Sequence, residues 1–272
     1  MWTQWYGTVF FRTLQKNHGL CEKILHHLID TDVNEGNESK WIRYDFQKKN
    51  DYVYDLGLPH GMVGVLYFIG KCYEAGIRKK DCERLVKQGS QFFLNSIQDP
   101  IQSGSYFPNK ISAREYANGA VKKSISRMAW CYGDLTILYS LYRNLKLVGA
   151  DTTSIIQILL SLCQRINPIQ TSVSDPGLCH GSSGVAHLFH KLYKETNHND
   201  FSNASKYWLN ETFQYGGKDG YGGFLFEAGN DEKMVLLPSS AILEGIGGIG
   251  LIRSSFIYED STNNWDECIF LS

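Results

Sequence analysis

At 272 residues, 43% of them hydrophobic and 13% aromatic, the chain can fill one large domain or two small ones with a sizeable core. A formal net charge of -1 argues against nucleic acid or an anionic membrane surface as the main partner. No apolar run approaches the roughly 18 residues of a membrane span, and the start "MWTQWYGTVFFRTLQKN" lacks the basic opening and clean apolar stretch of a signal peptide. Seven cysteines, an odd number at spacings unlike a disulfide framework, are expected to be reduced thiols in a cytoplasm and free to bind metal.

The first helical pattern is "GLCEKILHHLID", with Leu20, Ile24, Leu25, Leu28 and Ile29 on one stripe. "HGMVGVLYFIG" follows from His60. "KKDCERLVKQGSQFFLNSI" then carries Leu85, Val86, Phe92 and Phe93 on one face, with Asp81 as a capping residue at its start. The region "QDPIQSGSYFPNKISAREYANGAVKKSISRMAW" breaks the pattern and reads as a long loop with short hairpins. "CYGDLTILYSLY" from Cys131, "DTTSIIQILLSLCQRI" with Asp151 as its cap, "CHGSSGVAHLFHKLY" from Cys179 and "NASKYWLNETF" continue the helices. A second loop, "QYGGKDGYGGFLFEAGNDEKMVLLPSS", precedes "EGIGGIGLI" from Glu244. Long loops inside a compact domain tend to be functional. No linker-like composition divides the chain, so residues 1–272 read as a single domain.

Four of these segments open on a glycine: Gly61, Gly133, Gly181 and Gly245. Three continue as G-x-x-G to Gly64, Gly184 and Gly248; the second carries Thr136 in that place. The pattern is an irregular repeat of helical hairpins, each a glycine-opened helix, a loop and an amphipathic helix. Glycine at a helix start lets backbones approach closely and leaves N–H groups free.

Cys72, Cys82 and Cys163 sit in apolar helical patterns and read as core residues. Cys21 and Cys268 have no functional context, and His26, His27, His187, His190 and His198 read as surface or helix-face residues. His60, Cys131 and His180 each stand immediately before a helix-opening glycine or one residue further back, and Cys179 stands two residues before Gly181. Equivalent places in successive repeats gather at one end of a repeat array. Two thiolates and one imidazole suit Zn²⁺ with an open fourth position, as in a catalytic site. Spacing alone leaves separate, buried residues as the alternative.

"SRMAWCYGD", "LCHGSSGVAHL" and "LPHGMVGV" together resemble the lanthionine synthetase C family, the cyclases of lantibiotic biosynthesis. The resemblance runs from about "GLPHG" to "LEGIGGIGLI". It implies an all-α fold, an α/α toroid of helical hairpins, of which the chain holds the C-terminal two-thirds as an incomplete ring. It implies Zn²⁺ on Cys131, Cys179 and His180, an acid/base role for His60, and cavity positions near the metal for Arg127 and Tyr132. The implied reaction adds a peptide cysteine thiolate to dehydroalanine or dehydrobutyrine, giving lanthionine or methyllanthionine. The implied partners are a dehydrated precursor peptide, a lantibiotic dehydratase and an exporter, in the cytoplasm or peripheral at the membrane in a biosynthetic complex.

The family's catalytic aspartate falls before the first residues here; Asp45, Asp51 and Asp55 precede His60, and none is read as part of a repeat opening. A zinc-holding module that grips a peptide or partner enzyme without turnover is therefore the competing expectation. A glycan-processing enzyme is disfavoured, because paired carboxylates do not stand at the repeat openings. An opened ring is expected to expose an apolar seam that includes Trp2, Trp5, Tyr6, Phe10 and Phe11, and to leave the chain poorly stable without a partner.

Overall fold

The computed structural model describes residues 17–46, 51–217, 219–230, 233–258 and 265–272; the aromatic start lies outside them. The chain forms two compact units. One comprises residues 1–125, 140–156 and 264–272, the other residues 126–139 and 157–263.

In the first unit, α1 (His18–Asp30) leads into a three-stranded antiparallel sheet ordered β1 (Arg43–Tyr44), β2 (Tyr52–Asp55), β3 (Lys110–Ser112). The register pairs Arg43 with Val53 and Tyr54 with Ile111. Between β2 and β3 lie the hairpin of α2 (Met62–Glu74) and α3 (Lys79–Asn95) and the short α4 (Pro100–Ser103). The short α5 (Ala113–Ala117) follows β3 directly. The apolar stripe of α3 is buried as its periodicity requires: Leu85, Val86, Phe92 and Phe93 are all inaccessible. Asp81 does not cap α3; it sits in the first turn and binds Nε of Arg78, the residue before the helix, at 2.7 Å. Lys40 is wholly buried. Its ammonium is compensated by Glu35 at 2.9 Å and Glu38 at 3.3 Å, and the Tyr116 hydroxyl donates to Glu38 at 2.6 Å. This network ties the segment after α1 to α5.

Helices α6 (Asp134–Leu147) and α7 (Thr153–Leu162) are each divided between the units. Asp151 accepts from the Thr153 N–H at 3.0 Å, fixing the start of α7. The second unit continues with a short α8 (Pro168–Thr171), then the hairpin of α9 (Ser182–Thr196) and α10 (Asn199–Gln214). The Ser182 and Thr212 hydroxyls meet at 2.9 Å, and Phe189 stacks on Phe201. The antiparallel hairpin of β4 (Phe226–Asn230) and β5 (Lys233–Leu237) precedes α11 (Ile246–Ile257). Phe224, Phe226 and Ile249 form a buried cluster with Tyr215 and Ile246 against it. The second expected loop thus contains a strand hairpin, and the first contains α4, β3 and α5. The β1–β2 pair was not anticipated. It rests on β-prone "YVY", with Val53 and Tyr54 buried and Tyr52 exposed.

One local device recurs before the glycine-opened helices. The chain folds back so that a backbone carbonyl lies over the glycine six residues later: Asp55 over Gly61, Arg127 over Gly133, Asp175 over Gly181 and Ser239 over Gly245. The second glycine of each G-x-x-G receives the next such carbonyl, Leu58 over Gly64, Leu178 over Gly184 and Ile242 over Gly248. Gly61, Gly181 and Gly245 are extended, a conformation open to any residue, so it is contact that selects glycine there. Gly133, at φ +104°, is required by both conformation and contact.

A methyl group on Gly184 would fall inside the van der Waals shell of the Leu178 carbonyl, whereas one on Gly250, later in α11, would meet nothing. Gly184→Ala should therefore lower the unfolding free energy by about 1–3 kcal/mol. Gly250→Ala should raise it by about 0.5–1 kcal/mol. Denaturant titration of both variants checks the contrast; equal effects would contradict the contact argument.

Candidate metal centre

In repeat register, "DLGLPHGMVG" of the first unit matches "DPGLCHGSSG" of the second. The residue before each opening glycine is His60, Tyr132, His180 or Glu244, and the one before that is Pro59, Cys131, Cys179 or Leu243. Asp55 and Asp175 occupy the same place six residues before the glycine. Asp55 therefore does belong to a repeat opening, contrary to the sequence expectation, which aligned only the residues next to the glycines.

The two aspartates build the same turn. Oδ1 of Asp55 accepts from the Gly57 N–H at 2.9 Å, and Oδ1 of Asp175 accepts from the Gly177 N–H at 2.6 Å. Their second oxygens differ. Oδ2 of Asp55 receives Nε of Arg43 at 2.8 Å. Oδ2 of Asp175 is buried, lacks a directed hydrogen bond, and lies 3.1 Å from Nε2 of His180. Asp45 pairs with Lys110 at 2.7 Å and Asp51 accepts from Ser112, so all three early aspartates have structural partners.

Backbone hydrogen bonds stitch three of the loops together. The Cys131 N–H donates to the Cys179 carbonyl at 3.2 Å, and the Leu178 and Cys179 N–H groups both donate to the Leu243 carbonyl at 2.9 Å. The loop of Cys131 is anchored from the other side by Arg165, which binds Asp134 at 2.6 Å and the Ser126 carbonyl at 3.1 Å. In this frame the Cys131 and Cys179 thiols are close enough to act on each other's ionisation.

Cys179, His180 and Glu244 present ligand atoms that all lie within 4.8 Å of one another. Nδ1 of His180 faces Glu244, 3.9 Å from Oε1, while Nε2 faces Asp175. A second grouping, Asp175, His180 and Glu227, lies on the same histidine. It contains no thiol, so a thiophilic ion is better served on the cysteine side.

The electrostatics match a thiolate site. Cys131 is buried, yet its pKa falls to about 7. The main cause is the hydrogen bond from Cys179, with the positive charges of Arg127 and His180 adding to it against the burial. The same bond raises Cys179, reinforced by burial. The Asp175 carboxylate raises His180 above the ordinary imidazole value, against desolvation. The donor set fits a zinc ion. One soft sulfur, an imidazole nitrogen and a carboxylate oxygen lie within 4.8 Å of one another, with a second thiol on the adjoining loop, and the orphaned Oδ2 of Asp175 waits at the opposite ring nitrogen as the carboxylate partner that metal-bound histidines use.

The structure therefore groups the ligand atoms of Cys179 and His180 with Glu244, while Cys131 is joined to Cys179 through the backbone and lies outside that 4.8 Å grouping; the charge of Arg127 acts on Cys131, Cys179 and His180. Tyr132 is half-buried beside Cys131. His60 is exposed in the first unit, at the start of α2. Cys72, Cys82 and Cys163 are buried, as expected, and burial raises all three thiols. Cys21 is also buried and Cys268 is exposed. Among the histidines set aside, His187 is buried on α9, and His190 packs on Phe256 with its pKa lowered to about 4 by burial. Asp175 and Glu244 were not anticipated as site residues. The register with Asp55 and His60 was the available signal.

A helical-hairpin protein whose helix-opening loops gather two thiols, an imidazole and a carboxylate is, by class, a helical-repeat protein with a metal-capable thiol centre. Residues 6–270 match the lanthionine synthetase C-like protein family, and the chain belongs to it. Among solved structures, that of nisin cyclase matches with a TM-score of 0.71 at 20% identity, over 94% of this chain and 62% of that one. The likeness shows the all-α fold that the resemblance implied, and the chain spans less than two thirds of the nisin cyclase chain. Comparison with curated proteins gives no match. Among the described residues no helix is long and apolar enough to cross a membrane.

The lowered pKa of Cys131 makes a directional prediction. In chelator-treated protein the Cys131 thiolate should reach half its full population near pH 7 and rise above it, while Cys82, at about 11, and Cys163, at about 12, stay protonated. Iodoacetamide labelling between pH 6 and 9, mapped by mass spectrometry, should modify Cys131 with a midpoint near 7. A midpoint above 8.5, the value of a free thiol, would contradict the assignment.

Proposed function

We propose that the chain is a zinc-dependent cyclase acting as a single domain of this family's fold. It joins cysteine thiols of a dehydrated precursor peptide to dehydroalanine or dehydrobutyrine, forming thioether rings. The observation that supports the reading is the backbone cross-link between the loops of Cys131 and Cys179, with Cys179 and His180 in one metal-capable grouping. Family membership supports it.

Cys131, Cys179 and His180 would hold the zinc, which when bound lowers the pKa of a peptide thiol and keeps the sulfur nucleophilic near neutral pH. The two cysteine thiolates offset the charge of the cation, so a third sulfur stays electron-rich. Asp175 holds the His180 ring by its Nε2 side and leaves Nδ1 for ligation. Addition of sulfur to the β-carbon places negative charge on the neighbouring carbonyl. Arg127, whose positive charge already acts on Cys131, stabilises that charge, and Tyr132 donates a hydrogen bond beside it. His60 takes up the thiol proton and returns a proton to the α-carbon, completing the C–S and C–H bonds without any other reactant. By the same reading the partners are the precursor peptide, a dehydratase and an exporter, met in the cytoplasm or at the inner face of the membrane.

Metal analysis should find about one equivalent of zinc per chain, and Cys131→Ala or Cys179→Ala should remove most of it. His60→Ala should keep the metal but lose ring formation or stereochemical control at the α-carbon, measured by mass spectrometry and chiral analysis of the product. Full zinc occupancy in both cysteine variants would overturn the ligand set. Metal retained by the unaltered chain with no ring formed on any dehydrated peptide would favour the binding-module reading.

A further inference from the structure

The openings of α2 and α9 are built alike and end differently. Asp55 and Asp175 each turn one carboxylate oxygen onto the glycine N–H two residues on, at 2.9 and 2.6 Å. In both openings that oxygen lies against the position that a Cβ on Gly61 or Gly181 would take, so the carboxylate holds the same place beside the histidine that precedes the glycine. Asp175 puts its second oxygen 3.1 Å from Nε2 of His180. His60 is exposed and, among the described residues, has neither a hydrogen bond nor an ion pair. The difference originates in β1. Arg43 pairs with Val53, which sets its side chain on the sheet face that Val53 and Asp55 share, one diagonal step from the carboxylate. Its Nε donates to Oδ2 of Asp55 at 2.8 Å, and its Nη2 donates to the same oxygen. The Asp55 side chain is 2% exposed and that of Arg43 is 34% exposed, so the guanidinium compensates a buried charge. Lys110, opposite Asp55 in the β2–β3 register, is held on Asp45 at 2.7 Å.

We propose that Arg43 is a positioning residue for His60: by occupying the second oxygen of Asp55 it keeps that carboxylate off the imidazole and leaves the ring free to exchange a proton. This deepens the proposed function and rests on the reading of His60 as the group that moves the proton. A carboxylate on a ring nitrogen fixes the ring and favours its charged form. Fixing serves a histidine that must hold still, but not one that must accept and release a proton within a turnover. The same aspartate turn thus yields a held histidine in the second unit and a free one in the first, and the cation that β1 supplies decides which.

Diethyl pyrocarbonate acylates an unprotonated, accessible imidazole nitrogen, so its rate at His60 in the full chain, mapped by mass spectrometry at neutral pH, reads whether the ring is free. Arg43→Ala should slow that rate about threefold or more as Asp55 turns to His60. The rates at the exposed His26 and His27 should stay as they were. Asp55→Asn added to Arg43→Ala should restore the His60 rate, because the amide oxygen still accepts from the Gly57 N–H but carries no charge. Arg43→Lys, which keeps the cation, should leave the rate unaltered. A residue that only supported the sheet would not be rescued by removing its partner's charge. Arg43→Met, apolar and of similar length, supplies the measurement if Arg43→Ala does not fold, which circular dichroism checks. An unchanged His60 rate in the folded variant overturns the proposal, and so does a slowed rate that Asp55→Asn fails to restore. Ring formation is no part of this readout: a chain that shows the labelling pattern yet closes no ring on any dehydrated peptide overturns the cyclase reading and leaves the control of His60 by Arg43 standing.

Discussion

The centre depends on how closely a loop can lie on the first turn of the helix that follows it. Where the Asp175 and Leu178 carbonyls press on Gly181 and Gly184, no side chain fits, and the loop is pinned to the start of α9. That contact fixes the turn between Asp175 and Gly177, and the turn in turn aims Asp175 at His180. A Cβ at either glycine would lift the loop by more than the tolerance of a metal site, which is on the order of half an ångström. The helices supply the rigidity, and the glycines bring it to the ligands.

Within that frame, the same turn serves different ends. Asp55 and Asp175 use one oxygen identically, on the glycine N–H two residues on. Arg43 occupies the second oxygen of Asp55, whereas the second oxygen of Asp175 is left for a histidine. The neighbouring repeat contributes the charge balance: Arg127, at the aspartate position, brings a cation near Cys131 where the other openings bring an anion or a serine. A buried thiol would ordinarily resist ionisation, as Cys72 does. Cys131 escapes that fate because the neighbouring Cys179 thiol and the positive charges of Arg127 and His180 favour its thiolate.

Much of this was legible in the sequence because it was written as period and repetition. The stripe of α3, the core thiols and the four opening glycines follow from spacing alone, and the motifs around Cys131 and Cys179 pointed to the family. The short strands were less visible: β1 has two residues, and its pairing with β2 reflects neighbours rather than pattern. Asp175 and Glu244 escaped for another reason. An aspartate ahead of a glycine has the signature of an ordinary turn, and an exposed glutamate before a helix that of a solvated end. Their partners lie in three-dimensional register, which becomes readable only when whole openings, and not their glycines alone, are superposed.

The stitching of Cys131 to Cys179, and of Cys179 to Leu243, runs through main-chain atoms. Side chains at those positions can therefore be exchanged without unpicking the seam. The site is in effect a socket with interchangeable pins: cysteine or leucine at one contact, where proline would remove the N–H that the seam uses, and histidine, tyrosine or glutamate at the next. Single-codon changes in such a socket alter donor chemistry while the backbone template persists. A lineage can thereby drift from soft to hard metal preference, or from catalysis to simple ligand holding, without passing through an unfolded intermediate.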